Sequence, residues 1–181
     1  MALYFGSTEI TSNHTVKFNG TDLTKIIFNN ETVWEQQTEQ DLGRNFDTRL
    51  ASSTGTSYDL DTGSITVNHG TDTGVAIRKS FNSGSYTKLE VRVRANKNTY
   101  QDTGLVLTKN AWSWSKTNFN AYIKNGTSGN VVWKISDNNA YTTYTVDIEA
   151  NTTYYLTLGG WSTSTAGANT TATVNSIKLV T

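Results

Sequence analysis

The chain has 181 residues, a length that indicates one ordinary domain or one domain with a small appendage. Its 15 basic and 15 acidic residues cancel, which argues against nucleic acid as the main ligand and against strong steering of a charged substrate. Cysteine is absent, so disulfides, thiolate metal sites and cysteine nucleophiles are excluded.

The composition favours an all-β protein. Thr, Asn, Ser and Gly are abundant and proline is absent. Thr, Val, Ile, Tyr and Trp suit pleated strands, whereas Asn, Gly, Asp and Ser supply turns. No segment approaches the roughly 18 apolar residues of a membrane helix. The first residues lack the basic start and long apolar run of a signal peptide, so we expect a product made in the cytoplasm.

The first 35 residues repeat an aromatic residue, a two-residue turn and a polar pair. The pattern begins at Phe5, Phe18 and Phe28, and Trp34 follows the last copy. Isolated hairpins are marginal in water, so this segment has to pack on something else. We predict that residues 1–35 form an attachment or oligomerisation unit whose interface residues are Phe18, Phe28 and Trp34. For Trp34 a second interpretation stays open, in which the ring seals the unit onto the rest of the chain.

The turns of this unit have clear signatures. Asn19-Gly20 is a strong signal for a type I′ hairpin turn, because both positions need positive φ, and Asn29-Asn30 is a weaker version of it. Four short strands are predicted between these turns. Residues 36–44 are polar and lack strand character, which predicts a linker or a short helix.

The remainder, residues 45–181, alternates apolar and polar residues between turn signals. The alternation is clearest where Leu89, Val91 and Val93 interleave with charged residues. About nine strands at intervals of roughly ten residues predict an antiparallel β-sandwich, or jelly roll. The predicted strands lie within residues 64–70, 74–81, 87–96, 104–114, 119–126, 130–136, 141–149, 153–161 and 171–181.

Four segments of this body carry a resemblance: "SITVNHGTDTGVAIRKSF", "GSYTKLEVRVRAN", "TYYLTLGGW" and "ATVNSIKLV". In pattern and order they resemble the jelly-roll carbohydrate-binding modules of the galactose-binding-like class. The resemblance implies a lectin-like sandwich that binds glycans, and such modules often hold a structural calcium ion.

The N-terminal text "KFNGTDLTKIIFNNETVWE" resembles short tandem pieces of bacteriophage structural proteins. This resemblance implies a virion surface protein of the head or tail: a capsid-decorating, head-fibre or tail-associated component. Its expected partners are other virion proteins and sister copies in a homo-oligomer such as a trimer. The sandwich would be displayed outward for adhesion to host surface glycans.

Catalytic residues are hard to assemble from this sequence. His14 and His69 are the only histidines, and neither has a Ser-His-Asp context. Glycoside hydrolysis needs two carboxyl groups about 5 to 10 Å apart in a cleft. The acids Glu90, Asp147 and Glu149 alternate with apolar residues, which is typical of solvent-facing strand positions. We therefore predict that the protein is not an enzyme.

Asp59 and Asp61 precede Gly63 in "YDLDTGS". Oxygen ligands two residues apart can serve calcium, and this pair is the candidate metal site. The alternative is an ordinary Asp turn, in which the carboxylate binds the downstream backbone.

Aromatic residues are the candidate glycan contacts, because sugar rings stack on flat aromatic faces. Trp112 and Trp114 would share one face if they lie on a strand. Tyr141 and Trp161 complete the set, and Trp161 is predicted in a loop because low-complexity residues follow it. The alternative for every member is a place in the core, where Trp and Tyr are common fillers; Trp133 in "VVWKI" is predicted to be core.

Three functions remain open at this stage. The favoured one is a non-enzymatic virion component with a lectin-like sandwich. The second is a free-standing carbohydrate-binding module, and the third is a small glycan-active enzyme.

Overall fold

The computed structural model describes residues 3–5, 8–10, 16–35, 38–68, 70–96, 101–113, 115–119, 131–135, 139–165 and 168–181. It confirms the all-β prediction, since one helical turn, α1 (Lys116–Phe119), accompanies seventeen strands in this part of the chain. The N-terminal strands are β1 (Leu3–Phe5), β2 (Thr8–Ile10), β3 (Val16–Phe18), β4 (Thr21–Leu23), β5 (Lys25–Phe28) and β6 (Glu31–Glu35). The other strands are β7 (Glu39–Asp41), β8 (Thr48–Ser52), β9 (Ser57–Asp59), β10 (Ser64–Val67), β11 (Gly70–Asn82), β12 (Lys88–Asn96), β13 (Gln101–Thr108), β14 (Val131–Lys134), β15 (Thr142–Asp147), β16 (Thr153–Ser164) and β17 (Thr170–Val180).

The N-terminal strands form three separate hairpins: β1 with β2, β3 with β4, and β5 with β6. The predicted type I′ turns are confirmed, because φ is 49° at Asn19, 80° at Gly20, 49° at Asn29 and 65° at Asn30. The structure has six strands here rather than the four predicted. The missed strands β2 and β4 have three residues each and lack the aromatic residue that each of the predicted strands contains.

The other strands build the predicted antiparallel β-sandwich. One sheet, called the front sheet here, has the order β15-β12-β17-β10-β9, and β7 also pairs with β17. The other, the back sheet, has the order β14-β13-β16-β11-β8. From β7 onward, nearly every connection crosses from one sheet to the other. Only β9 and β10, and β13 and β14, are consecutive strands of the same sheet, and such repeated crossing is the jelly-roll manner of connection.

The core lies between the two sheets and follows from the alternation in each strand. Leu89, Val91 and Val93 of β12 are fully buried and meet Leu156 and Leu158 of β16 within one cluster. Burying one such side chain stabilises the fold by about 1.5–3 kcal/mol. Trp133, predicted as core, is half-buried and packs against this cluster.

The predicted linker, residues 36–44, is wrong in part. Residues Glu39–Asp41 form strand β7, which pairs with Lys178–Val180. Directly after it, the backbone N–H of Leu42 donates to the carbonyl oxygen of Ile177 over 2.8 Å. Such a short edge strand is held by backbone hydrogen bonds and exposes all three side chains, so it leaves no alternation in the sequence. Strands β8 and β9, also short, were missed as well.

Two further strand predictions have different outcomes. β13 ends at Thr108, so Trp112 does not lie on a strand, and Trp114 lies outside the described residues. The strand predicted within residues 119–126 falls almost wholly outside the described residues. In the described part of the chain, no helix has the length and apolar character needed to span a membrane. The division into a unit of residues 1–35 and a sandwich stays a prediction.

Candidate functional site

The outer face of the back sheet is closed by a second apolar cluster. Val106 of β13 and Trp161 of β16 are buried there, and Trp112 and Val132 pack against them. Trp112 comes from the connection between β13 and β14, and α1 of the same connection contacts β16. Thr157 on this face is also fully buried. The described residues of this connection therefore lie over the middle of the outer face of the back sheet.

Trp161 lies in strand β16 rather than in the predicted loop, and 8% of its side chain is exposed. Its ring lies on Gly74, where an added Cβ would stand only 2.2 Å from Cε3. Trp161 faces away from the main core but is buried because the connection covers this face. Trp161 and Trp112 therefore do not form an open platform. Whether either ring contacts a glycan stays a prediction.

The outer face of the front sheet has a different character. The alternation of β12 directs Glu90, Arg92 and Arg94 outward, opposite the buried Val91 and Val93. The outward residues of the neighbouring strands are mainly hydroxyl or amide residues: Thr143 and Thr145 on β15, Ser64 and Thr66 on β10, and Thr171, Thr173, Asn175 and Ser176 on β17. We call this surface the front face.

A bulge in β17 shapes the front face. Arg92 pairs with Ser176 and Val93 with Val174, so Asn175 is an extra residue in β17. Bulges of this kind redirect side chains. A groove of about 350 Å³ lies at this place. Its lining residues are Glu90, Arg92, Thr143, Asn175, Ser176 and Lys178.

Two arginines lie against one aromatic ring at the edge of this groove. The guanidinium carbon of Arg94 is 4.9 Å from the centroid of the Tyr141 ring, and that of Arg92 is 5.3 Å from it. Tyr141 directly precedes Thr142, the residue that pairs with Val93, so its position is opposite Arg94. The sequence predicted Tyr141 as a sugar platform; the structure places arginines over the ring.

Lys178 at the far side of the groove is anchored by an ion pair. Its ammonium group donates to the Glu39 carboxylate of β7 over 2.7 Å. This hydrogen bond, with the attraction of the same carboxylate, raises the pKa of Lys178 above its usual value. β7 therefore contributes a charge that fixes one wall of the groove.

A second depression, of about 280 Å³, lies where β13 and β14 approach β15. Its lining residues are Leu107, Lys109, Val131, Asp147, Ile148, Glu149 and Tyr154. Lys109 forms an ion pair with Glu149, which raises the pKa of the lysine. Asp147 and Glu149, predicted as ordinary solvent-facing acids, thus line a shared depression, and one of them is engaged by a lysine.

The predicted metal pair forms an Asp turn. The Asp59 Oδ1 atom accepts the backbone N–H groups of Asp61 and Thr62 over 2.9 and 3.1 Å. Hydrogen bonding from Thr62 lowers the pKa of Asp59. The described residues contain no group of three His, Asp or Glu side chains placed to hold a metal ion. Calcium at Asp59 and Asp61 stays a prediction.

The predicted interface residues of the N-terminal unit differ in exposure. Phe18 is 67% exposed, and Ile27 of the following hairpin is 59% exposed. Trp34 is only 4% exposed, so its ring is already covered within the chain. Of the Phe28 side chain nothing is described. His14 and His69 both lie outside the described residues.

The fold and this surface define a class: an antiparallel jelly-roll sandwich with one covered face and one open polar face. No protein-family model matches the chain, and no curated protein matches it.

Three solved structures are similar to it. A mutant of a family 29 carbohydrate-binding module has 14% identity and a TM-score of 0.40 over 78% of this chain and 90% of that chain. The family 11 carbohydrate-binding module of a cellulosomal cellulase of Clostridium thermocellum has 13% identity and a TM-score of 0.43, over 78% of this chain and 94% of that chain. The glycoside hydrolase domain of Endo-D from Streptococcus pneumoniae has 12% identity and a TM-score of 0.42 over 78% of this chain but only 21% of that chain.

The sequence did not single out the residues that line the groove. It placed Arg92 and Glu90 on the polar side of β12 but assigned them no role. The signal available was the row of long polar side chains at alternate positions of a strand. The bulge at Asn175 and the contribution of Glu39 depend on pairing between distant segments, which a local pattern does not contain.

Proposed function

We propose that this chain is a non-catalytic glycan-binding β-sandwich whose binding surface is the front face. The observation that carries the proposal is the groove of about 350 Å³ and the chemistry of its lining. Its planar amide, carboxylate and guanidinium groups are Asn175, Glu90 and Arg92. Such groups donate or accept two parallel hydrogen bonds, which suits the neighbouring hydroxyls of a sugar ring.

Rigidity supports the same proposal. The groove lies on three strands of one sheet, β15, β12 and β17; the inward residues of β12 and β17 are buried in the core, and Tyr144 and Val146 of β15 pack against it. Side chains on such a support lose little freedom when a ligand binds, so less binding energy is spent on ordering them. The hydroxyl-bearing residues that continue along β17 and β10 extend the polar surface beyond the groove, as a polymer chain requires.

The proposal is tested by binding of purified full-length protein to a panel of soluble polysaccharides in affinity electrophoresis and calorimetry. Asn175→Ala removes a groove amide and should weaken binding about fivefold to tenfold, the value of one good hydrogen bond. Asn110→Ala is the matched control, because it removes an exposed amide that follows β13 of the back sheet and so lies outside the front face. Equal effects of both variants, or no binding to any polysaccharide, would contradict the proposal.

We propose a second role for the N-terminal unit, which is attachment to sister copies. The observation that favours it is the exposure of Phe18 and Ile27 on neighbouring hairpins. An exposed large apolar side chain on each of two consecutive hairpins offers apolar area that a second copy could cover. The resemblance of residues 16–35 to bacteriophage structural proteins supports a virion as the setting, with the sandwich facing the host.

Oligomeric state tests this second role. Light scattering should detect an oligomer for the natural chain and a smaller species for the double variant Phe18→Ser and Ile27→Ser. The control Lys25→Ser, in the same hairpin as Ile27, should leave the oligomeric state unchanged. A natural chain that stays monomeric at high concentration would contradict self-attachment, and the chain would then act as a free-standing carbohydrate-binding module.

A virion as the setting is tested separately. Mass spectrometry of purified virions should detect the chain, and its absence would refute a virion role.

A further inference from the structure

The two arginines of the front face form a built feature rather than two solvated side chains. Arg92 and Arg94 project from one strand to the same side, and both guanidinium groups lie over the Tyr141 ring at 5.3 and 4.9 Å. Contact between a cation and an aromatic face contributes about 0.5–1 kcal/mol at an exposed site and limits where the guanidinium can go. The ring therefore limits the positions of both cations.

Within the described part of the chain, neither guanidinium has an ion-pair partner. By contrast, Lys109 is paired with Glu149 and Lys178 with Glu39. Glu90 lies on the same strand and lines the groove, but it forms no ion pair with Arg92. Among the described residues, these two positive charges therefore have no carboxylate in ion-pair contact. Each presents a planar fork of N–H donors that fits a carboxylate or a sulfate.

The two arginines lie at one end of the groove of the front face. Arg92 lines the groove and also touches Tyr141, so the cationic pair and the groove share a residue. A polymer lying in the groove would bring its next substituents over Arg94. The chain as a whole is formally neutral, so the positive charge here is local.

We propose that the front face selects acidic glycans, with the carboxylate of a uronic-acid ring bound by Arg92 and Arg94. This inference rests on the glycan-binding function proposed above and adds the charge of the ligand. Tyr141 acts as a positioning residue that holds the two guanidinium groups. The groove residues Asn175 and Ser176 bind hydroxyl groups of the same chain.

A matched pair of polymers tests the charge requirement directly. Polygalacturonate and its fully methyl-esterified form share a backbone, but only the first carries carboxylates. The natural chain should bind polygalacturonate at least about tenfold more tightly, and the difference should shrink as salt is added, because exposed charge pairs are screened. Sulfated dextran and polyglutamate distinguish sulfate from carboxylate and glycan from acidic peptide.

Variants assign the effect to residues. Arg92→Gln with Arg94→Gln should remove the preference for polygalacturonate, whereas Lys88→Gln, which removes one exposed cation from the same side of β12, should leave it intact. Tyr141→Leu should weaken the preference and Tyr141→Phe should preserve it, because the phenyl ring still holds the arginines. Melting temperatures of all variants check that the fold is unchanged.

The outcomes separate the two proposals. Equal affinity for the charged and the esterified polymer, unchanged by the arginine variants, would overturn the acidic preference while glycan binding stands. Equal affinity for polyglutamate or sulfated dextran would overturn the assignment to uronic acids. Failure to bind any polysaccharide would remove the proposed function and this inference with it.

Discussion

Replacing Trp161 with alanine distinguishes a buried ring from a ligand platform. The ring is 8% exposed and packs with Val106, Trp112 and Val132 on the covered face of the back sheet. Trp→Ala at a buried site costs about 3–5 kcal/mol, because transfer energy is lost and a cavity remains. In a chain of this length, that loss lowers the melting temperature by about 10 °C or somewhat more.

Gly74 provides the complementary change. A Cβ at this position would lie 2.2 Å from Cε3 and 2.5 Å from Cζ3 of Trp161, and the ring has little room to withdraw. Gly74→Ala should therefore destabilise the fold by about 1–3 kcal/mol, as other overpacked sites do. When Trp161→Ala is also present, the methyl group has space. The double variant should then be more stable than the sum of the single effects predicts, by about 1 kcal/mol or more.

Urea unfolding followed by circular dichroism measures all four proteins, and glycan binding is measured on the same samples. The expected result is a large loss of stability for Trp161→Ala with glycan affinity unchanged. An unchanged unfolding midpoint together with lost glycan binding would refute the burial argument. Additive effects of the two substitutions would refute the direct contact between Gly74 and the ring.

Three further predictions concern single residues. Lys79 is 6% exposed, and burial lowers its pKa below 10.5. Because the unfolded chain binds the proton of this lysine more tightly than the folded chain does, the free energy of unfolding should rise as pH rises from the folded pKa toward 10.5. Lys79→Met should abolish that rise in urea unfolding, whereas Lys88→Met, at an exposed lysine, should not. Gly20 has φ of 80° with no atom within 4 Å of an added Cβ, so Gly20→Ala should cost the β3–β4 hairpin about 1 kcal/mol through backbone strain alone, seen as faster hydrogen exchange in β4. If calcium binds at Asp59, the ion should raise the melting temperature of the natural chain and not that of Asp59→Asn, which keeps the turn acceptor; no shift in the natural chain would exclude the site.

Local patterns predicted the features that depend on neighbouring residues. The strict alternation of β12 assigned Leu89, Val91 and Val93 to the core, and the dipeptides Asn19-Gly20 and Asn29-Asn30 gave the correct turn type. Both signals work because side-chain direction and backbone φ are set within a few residues. The all-β class and the sandwich follow from adding such segments.

Features that depend on distant pairing were not predictable in this way. β7 exists because its backbone groups pair with β17, more than a hundred residues later. Trp161 lies on the outer side of its strand, where the alternation alone implies exposure. It is buried because residues of the β13–β14 connection cover that side, and a pattern within β16 contains no information on that connection.

Tyr141 shows how tertiary contact changes the role of a predicted site residue. As an isolated tyrosine among Asn and Thr it matches a sugar-stacking ring, and the sequence favoured that role. The register of β12 and β15 instead places it opposite Arg94 and within reach of Arg92, and both guanidinium groups lie over the ring. In the proposed acidic-glycan site, a ring occupied in this way would contribute to recognition through the cations it holds. The proposed ligand chemistry is therefore charge-assisted hydrogen bonding with an acidic sugar rather than stacking on a neutral one, which is why Tyr141→Phe and Tyr141→Leu should differ.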